Sequence, residues 1–285
     1  MSTFVKKLNS FEGTQILAST YSPVIGRMAR DLGFKYGMIG GSVASMSTIA
    51  SPDLMLLTSS ELCDLVRRTC QASDLQVVVD GDGGYGNALN VMRTVRDLEM
   101  AGAAAVTLED TSLPISYQQR GAQLISVTEQ VDKLKAALDV RCSDSFGIIA
   151  RTQVLHSESS DSLRSRVSSY ASAGADMICI AGQVSGPELE IISEAAQRPI
   201  MMITYGQSHT FNDEFLIRNS VKLLLTGHTP FESAMRASYD ALRELAGIDT
   251  SVSDLSYSEL MRKHCNQPLY DNAMKKYLGI VPIND

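Results

Sequence analysis

Asp80 and Asp82, separated by one glycine, end a run of valines and open a glycine-rich turn, Val77-Val-Val-Asp80-Gly-Asp82-Gly-Gly-Tyr85-Gly-Asn87. Carboxylates this close repel one another unless a cation or a shared proton offsets their charge. Such an oxygen-rich pair suits a hard divalent ion, magnesium or manganese, and magnesium touches one or two carboxylates while keeping several waters. Asp80, at the end of the valine run, is the expected direct ligand; Asp82 and Glu109 are expected to hold metal-bound waters. A calcium loop of the EF-hand kind needs Glu at its twelfth position, where this chain has Val91. A phosphate-cradling loop needs a Gly-Lys-Ser/Thr sequence that does not follow here. A structural turn, with an aspartate capping the next helix, is the remaining alternative.

The elements that must position these acids are legible in the hydrophobic pattern. A continuous β-branched run bounded by turn residues reads as a core parallel strand. Eight candidate strands recur at 16–20, 36–39, 77–80, 105–108, 147–150, 177–180, 200–204 and 222–225, with amphipathic stretches between them. Thr58-Ser-Ser-Glu61 and Ser126-Val-Thr-Glu129 have the capping-box form of helix starts, and Pro187 suits a first helical turn. Gly33, Gly102 and Gly174 sit where helices should end before a strand. Eight such units match the size of an α/β (β/α)8 TIM barrel. Residues 1–285 are therefore expected to form one barrel domain, with 247–285 a helical C-terminal extension. That extension holds a polar break at 247–253, a capping box Ser256-Tyr-Ser-Glu259, and a second short helix from Tyr270 to Leu278. With no strands to cover, these helices are expected to pack on a neighbouring subunit.

Chemistry in such a barrel collects at the carboxyl ends of the strands. Those ends read Gly40-Gly41-Ser42, Asp80 with Asp82, Glu109-Asp110, Arg151, Tyr205-Gly206 and Thr226-Gly227-His228. The planar donor fork of Arg151 suits a substrate carboxylate, or a salt bridge to Glu109 or Asp110. His228 and Tyr205 can each donate to a substrate oxygen. His209 and His264 lie in polar segments and read as surface residues, and His156 opens a serine-rich tract without other chemical signals.

Composition narrows the partners. The net charge is -7, there is no Trp, and no basic stripe marks a nucleic-acid surface. No apolar run approaches the roughly 18 residues that cross a bilayer, and the first ten residues lack the layout of a secretory signal. Five cysteines, an odd number without a CxxC pair, argue against a disulfide framework or a zinc cage. A cytoplasmic protein acting on a small molecule is the expectation.

Several of these segments occur together in one family. The chain resembles the isocitrate lyase/phosphoenolpyruvate mutase superfamily through Gly40-Gly-Ser-Val-Ala-Ser45, Ser51-Pro-Asp53, Asp80-Gly-Asp-Gly-Gly-Tyr-Gly-Asn87, Leu108-Glu-Asp-Thr111 and Ile148-Ile-Ala-Arg151. The resemblance implies a (β/α)8 barrel that exchanges its last helix between subunits, commonly in a tetramer built as a dimer of dimers, and binds magnesium with a 2-oxo acid. It implies Asp80 on the metal, Asp82 and Glu109 acting through water, and Gly41, Ser42 and Arg151 on the substrate carboxylate. His228 joins the substrate contacts, and Asp53 takes the place of an active-site aspartate of the mutases. The segment 111–126 contains no Cys, His or Lys, so the acid of the family's carbon–carbon lyases and the Lys of its mutases are absent. The run 84–95, Thr204-Tyr-Gly206 and Gly227-His228 bring the chain closest to the oxaloacetate decarboxylase branch, although that branch usually has His where this chain has Gly83. Magnesium-dependent loss of CO2 from a small 2-oxo dicarboxylate is thus the implied reaction. The alternatives are cleavage of a substituted malate or methylisocitrate, phosphonopyruvate chemistry, and a non-catalytic dicarboxylate binder.

Overall fold

The computed structural model describes residues 2–154, 159–206, 211–248 and 255–280; His156, His209 and residues 249–254 lie outside them. The strands are β1 (Gln15–Ile16), β2 (Ala18–Ser19), β3 (Tyr36–Ile39), β4 (Gln76–Asp80), β5 (Ala105–Glu109), β6 (Gly147–Gln153), β7 (Met177–Ala181), β8 (Ile200–Ile203) and β9 (Val221–Leu225). All pairings in the sheet are parallel, in the order β1-β9-β8-β7-β6-β5-β4-β3-β2. The first expected strand is split. β1 pairs with β9 and β2 with β3, and Leu17 between them donates to Leu224 O at 2.8 Å. One bent segment therefore joins the two ends of the sheet, and the eight expected strands become a nearly closed barrel of nine paired segments.

The helices are α1 (Thr3–Asn9), α2 (Pro23–Asp31), α3 (Gly41–Ile49), α4 (Ser59–Ala72), α5 (Ala88–Met100), α6 (Val127–Val140), α7 (Ser160–Ala173), α8 (Gly186–Ala196), α9 (Asp213–Arg218), α10 (Thr229–Leu245), α11 (Tyr257–His264) and α12 (Gln267–Ala273). The reciprocal boxes at Thr58–Glu61 and Ser256–Glu259 form as expected, and Ser185–Glu188 adds one before α8. Ser126 accepts from Glu129 N–H at 3.1 Å to start α6. Gly33, Gly102 and Gly174 all adopt positive φ.

Two cores follow from the two-residue period of a strand. Val77 and Val79 join the layer between strands and helices, whereas Val78 points into the barrel with Met38, Ala105, Ile149, Cys179 and Leu223. Each buried valine of this run contributes about 1.5–3 kcal/mol. Helix α1, which the hydrophobic pattern did not single out, closes the bottom of the inner core through Phe4, Val5 and Leu8. The Phe4 ring meets Tyr36 edge-on at 6.1 Å.

After α10, Ser256 starts α11, and α12 begins at Gln267, three residues before the expected Tyr270. Asn266, in the left-handed conformation, separates the two helices, and a wide π turn over Met274–Leu278 follows. Within this chain the C-terminal segment lies over the chain's own barrel mouth, where Gln118 N–H donates to Leu278 O at 2.8 Å. Among the described residues no helix is long and apolar enough to cross a membrane.

Candidate active site at the barrel mouth

Strand parity delivers the acids. Val78 faces inward, so Asp80 two residues later does too, and it ends β4 at only 9% exposure. The glycine turn then bends sharply: Gly84 takes φ +82, and a Cβ there would lie 2.3 Å from Val91 Cγ2. This turn carries Asp82, whose carbonyl accepts from Glu109 N–H at 2.8 Å, so β4 and β5 hold their acids side by side. Neither aspartate caps the following helix. That task falls to Asn87, which accepts from Leu89 N–H at 3.0 Å, and the purely structural reading of the turn loses its basis.

Arg151 is the cation these acids face. Its Nη1 is 2.7 Å from both Asp80 oxygens, and its Nη2 is 3.3 Å from Glu109 Oε2 and 2.9 Å from Tyr205 OH. Register explains the second contact, since Glu109 and Arg151 are Cα partners on β5 and β6. Burial opposes the charge of Asp80, but Arg151 outweighs it and holds the carboxyl below its usual range. Burial likewise opposes the guanidinium, and Asp80 and Glu109 overcome it. The other acids go the opposite way. Burial, then Asp80, Asp53 and Glu109, lift Asp82 well above an ordinary carboxyl; burial also lifts Glu109, against Arg151. Burial of its carboxyl and then Asp80 push Asp53 up to about 6, although the residue is exposed overall and water screens part of that effect.

A cavity of about 320 Å³ opens above them, with Asp53, Asp80, Asp82, Glu109 and Arg151 on its floor. Its walls are largely apolar: Leu54, Met55 and Leu56 after α3, Leu113, Pro114 and Ile115 after β5, and Ala273, Met274 and Leu278 from the C-terminal segment, which also brings Tyr270 and Tyr277. Among the described residues that line it, Arg151 is the only cation.

The remaining expected residues stand around this cavity rather than on its lining. Tyr205 reaches it through Arg151 and stays 56% exposed. Ser42 lies in the first turn of α3, whose N-terminal amide at Gly41 is 3.4 Å from Asp80 Oδ2. Free amides at a helix start suit an anion. His228 precedes α10, with Nδ1 2.7 Å from Ser19 Oγ, and burial lowers its pKa despite Asp80. Gly40 makes room for that ring: a Cβ there would be 2.8 Å from Cε1 and 3.0 Å from Nε2. Ser19 and this role of Gly40 were not anticipated. The register of β2 beside β3 was the signal that could have found them.

Of the two salt-bridge partners expected for Arg151, Glu109 is the one that forms; the Asp110 side chain points to the opposite side of β5, where its Oδ2 meets Arg166 of α7 at 3.2 Å. His264 lies against Tyr239, with ring centroids 5.6 Å apart.

The donor set can be tested against a magnesium-sized ion. The point a Cβ of Gly41 would occupy is 3.3 Å from Asp82 Oδ1, 3.6 Å from Asp80 Oδ2 and 3.8 Å from Asp53 Oδ1, so three carboxylate oxygens converge beside a position free of side chain. Among the described residues no group of three or more His, Cys, Asp or Glu side chains is arranged to hold a metal ion by itself. Both Asp80 oxygens are engaged by Arg151. This fits an ion that touches few carboxylates and keeps its waters, not one caged by protein alone.

Comparison with known proteins adds four findings. Residues 4–246 match the family model described as phosphoenolpyruvate phosphomutase. An oxaloacetate decarboxylase of Pseudomonas putida (strain GB-1) is 42% identical over 265 residues, covering 92% of this chain and 91% of that protein. The crystal structure of a phosphoenolpyruvate phosphomutase from Streptomyces platensis subsp. rosaceus superposes with a TM-score of 0.74 at 27% identity, covering 95% of this chain and 97% of that one. A phosphonopyruvate hydrolase crystallised with oxalate and Mg++ has the same fold, with a TM-score of 0.71 at 22% identity over 94% of this chain and 95% of that one.

Proposed function

This chain belongs to the phosphoenolpyruvate phosphomutase family, and on that premise we propose that it is a lyase that decarboxylates oxaloacetate to pyruvate and CO2, with magnesium (or manganese) at the barrel mouth. The observation that carries the reading is the polarity of the 320 Å³ cavity, with acids and the Arg151 guanidinium below and a largely apolar wall above. Asp80 would hold the ion directly, with Asp82 and Glu109 on its waters. When bound, the ion supplies Lewis acidity toward the C1 carboxylate and C2 ketone of a 2-oxo acid.

The chain's own groups do the rest. Gly41, Ser42 and Arg151 bind the C1 carboxylate; the buried Arg151 Nε has no acceptor among the described residues. The C4 carboxylate is left among Leu54, Leu113, Pro114 and Ile115, with no second cation among the described lining residues to pin its charge. His228 and Tyr205 donate toward the C2 oxygen as charge grows there. A neutral His228 ring accepting from the Ser19 hydroxyl at Nδ1 carries its proton on Nε2, the nitrogen beside Gly40. Loss of CO2 needs no base at the start, in keeping with the absence of Cys, His and Lys from residues 111–126.

The same reading takes residues 1–285 as one cytoplasmic barrel domain with a helical extension from 247, assembled as a tetramer, a dimer of dimers; on exchange of this extension between subunits, the Gln118–Leu278 contact seen within the chain would run between chains. Exposed Leu242, Leu245, Leu269 and Tyr277 on α10 and the C-terminal segment support such contacts, and light scattering reads the mass. The activity is tested by following pyruvate from oxaloacetate with magnesium, with and without a chelator. Release no faster than magnesium alone produces overturns the proposal. Succinate from methylisocitrate would instead identify a carbon–carbon lyase.

A further inference from the structure

Asp110 faces away from the mouth, yet it is fully buried and sits in a dense polar cluster. Its Oδ2 accepts from Thr152 Oγ1 at 2.7 Å, from Tyr170 OH at 2.7 Å and from Arg166 Nη1 at 3.2 Å. Arg166 Nη1 also donates to Tyr170 OH at 2.9 Å and to Ile125 O at 3.3 Å. The backbone of Asp110 extends the cluster, accepting from Ile125 N–H at 2.8 Å and donating to Arg151 O at 3.2 Å. Both stems of the loop between residues 110 and 125 are thus tied to one carboxylate and its partners.

That loop builds one wall of the cavity. Leu113, Pro114 and Ile115 line it, and Gln118 N–H holds the C-terminal segment through Leu278 O. A buried ion pair is a weak way to gain stability compared with well-packed hydrocarbon. Its Oδ1 is buried without a partner among the described residues, so the cluster is not arranged for full hydrogen-bond satisfaction either. What three donors on one oxygen do provide is a fixed position and direction.

We propose that Asp110, Arg166 and Tyr170 are positioning residues that set the place of the Leu113–Pro114–Ile115 wall, and so the affinity for substrate, without touching it. The kinetic part of this inference rests on the decarboxylase reading; the anchoring of the loop does not. A wall that contacts substrate equally before and during reaction acts on KM and leaves kcat alone.

The test compares Arg166→Met and the milder Tyr170→Phe with Arg166→Lys as a conservative rescue. Arg141→Met serves as control, because it breaks a comparable ion pair, 2.7 Å to Asp176, that lines no part of the cavity. Three quantities are read: oxaloacetate kinetics with magnesium, the magnesium-induced rise in Tm, and tryptic cleavage after the exposed Arg120 of the loop. The expected result is a KM raised by roughly ten- to a hundredfold, the scale of losing one apolar side chain's contact with substrate. Cleavage after Arg120 quickens, while kcat and the magnesium response hold, and Arg166→Lys recovers part of the loss. If KM and cleavage move no further than in Arg141→Met, or kcat falls with KM unchanged, the proposal is overturned. If wild-type protein does not turn over oxaloacetate, the decarboxylase reading fails, and cleavage after Arg120 alone decides the anchoring.

Discussion

Replacing Arg151 with Met removes the cation that Asp80 and Glu109 share, and the structure sets the size of the effect. Arg151 lies 2.7 Å from both oxygens of Asp80 and 3.3 Å from Glu109, and all three residues are under a tenth exposed. Charges about 4 Å apart attract by about 4 kcal/mol at an effective dielectric of 20, and desolvation of the pair opposes much of this. Removing one partner nevertheless leaves the other charge buried and alone, which costs about 3–5 kcal/mol. For a chain of this size that lowers Tm by on the order of 10 °C.

The loss should depend on pH and metal in a defined direction. Asp82 and Glu109 have raised pKa values in the folded protein, so the stability they contribute is present below the unfolded carboxyl range and is lost as pH rises through their folded values. Asp80 is held low by Arg151; its contribution is present above the unfolded value and lost only as pH falls through the folded one, and the variant forfeits it. The deficit of Arg151→Met therefore widens from pH 5 to pH 8. Magnesium at a hundred times its Kd adds about 2.7 kcal/mol, and its effect should be larger in the variant, where no guanidinium competes for Asp80. Thermal melts of both proteins in EDTA and in magnesium at the two pH values supply the comparison. Variant and wild type melting within about 2 °C of one another in EDTA, or a magnesium shift no larger in the variant, would refute the charge balance argued for the floor.

Asp80→Ala should lower kcat by roughly a thousandfold or more, about 4 kcal/mol of transition-state stabilisation, while circular dichroism shows the barrel intact; turnover within tenfold of wild type would remove Asp80 from the metal. Gly40→Ala places a methyl 2.8 Å from His228 Cε1 at a φ of -81 that any residue tolerates, so it should displace the ring without straining the backbone. A fall in kcat of about a hundredfold with little change in Tm is expected from steady-state assays and melts, and an unchanged kcat would take His228 out of the chemistry.

Much of the barrel was legible because β-branched runs such as Val77-Val-Val and Ile148-Ile-Ala have few structural alternatives when flanked by glycine turns and capping boxes. The split of the first strand was not legible. Whether residues 15–19 form one strand or two depends on where Leu17 meets Leu224, a contact more than two hundred residues away. Helix α1 was hidden for a related reason, because Phe4, Val5 and Leu8 look unremarkable until a barrel bottom exists for them to fill.

The candidate site divides along the same line between local and distant information. Asp80, Glu109 and Arg151 could be placed at strand ends from their own neighbours, and period-two alternation then turns all three inward. Applied one residue further, the same alternation turns Asp110 outward with Thr152, toward Arg166 and Tyr170. An adjacent Glu-Asp pair at a strand end is thus two acids on opposite sides of the strand, and parity decides that Glu109, not Asp110, is the partner of Arg151. Ser19 and Gly40 carry no such local mark. A serine in a strand and a glycine before a helix acquire meaning only when the barrel brings His228 between them, so the features hardest to read were those created by closure itself.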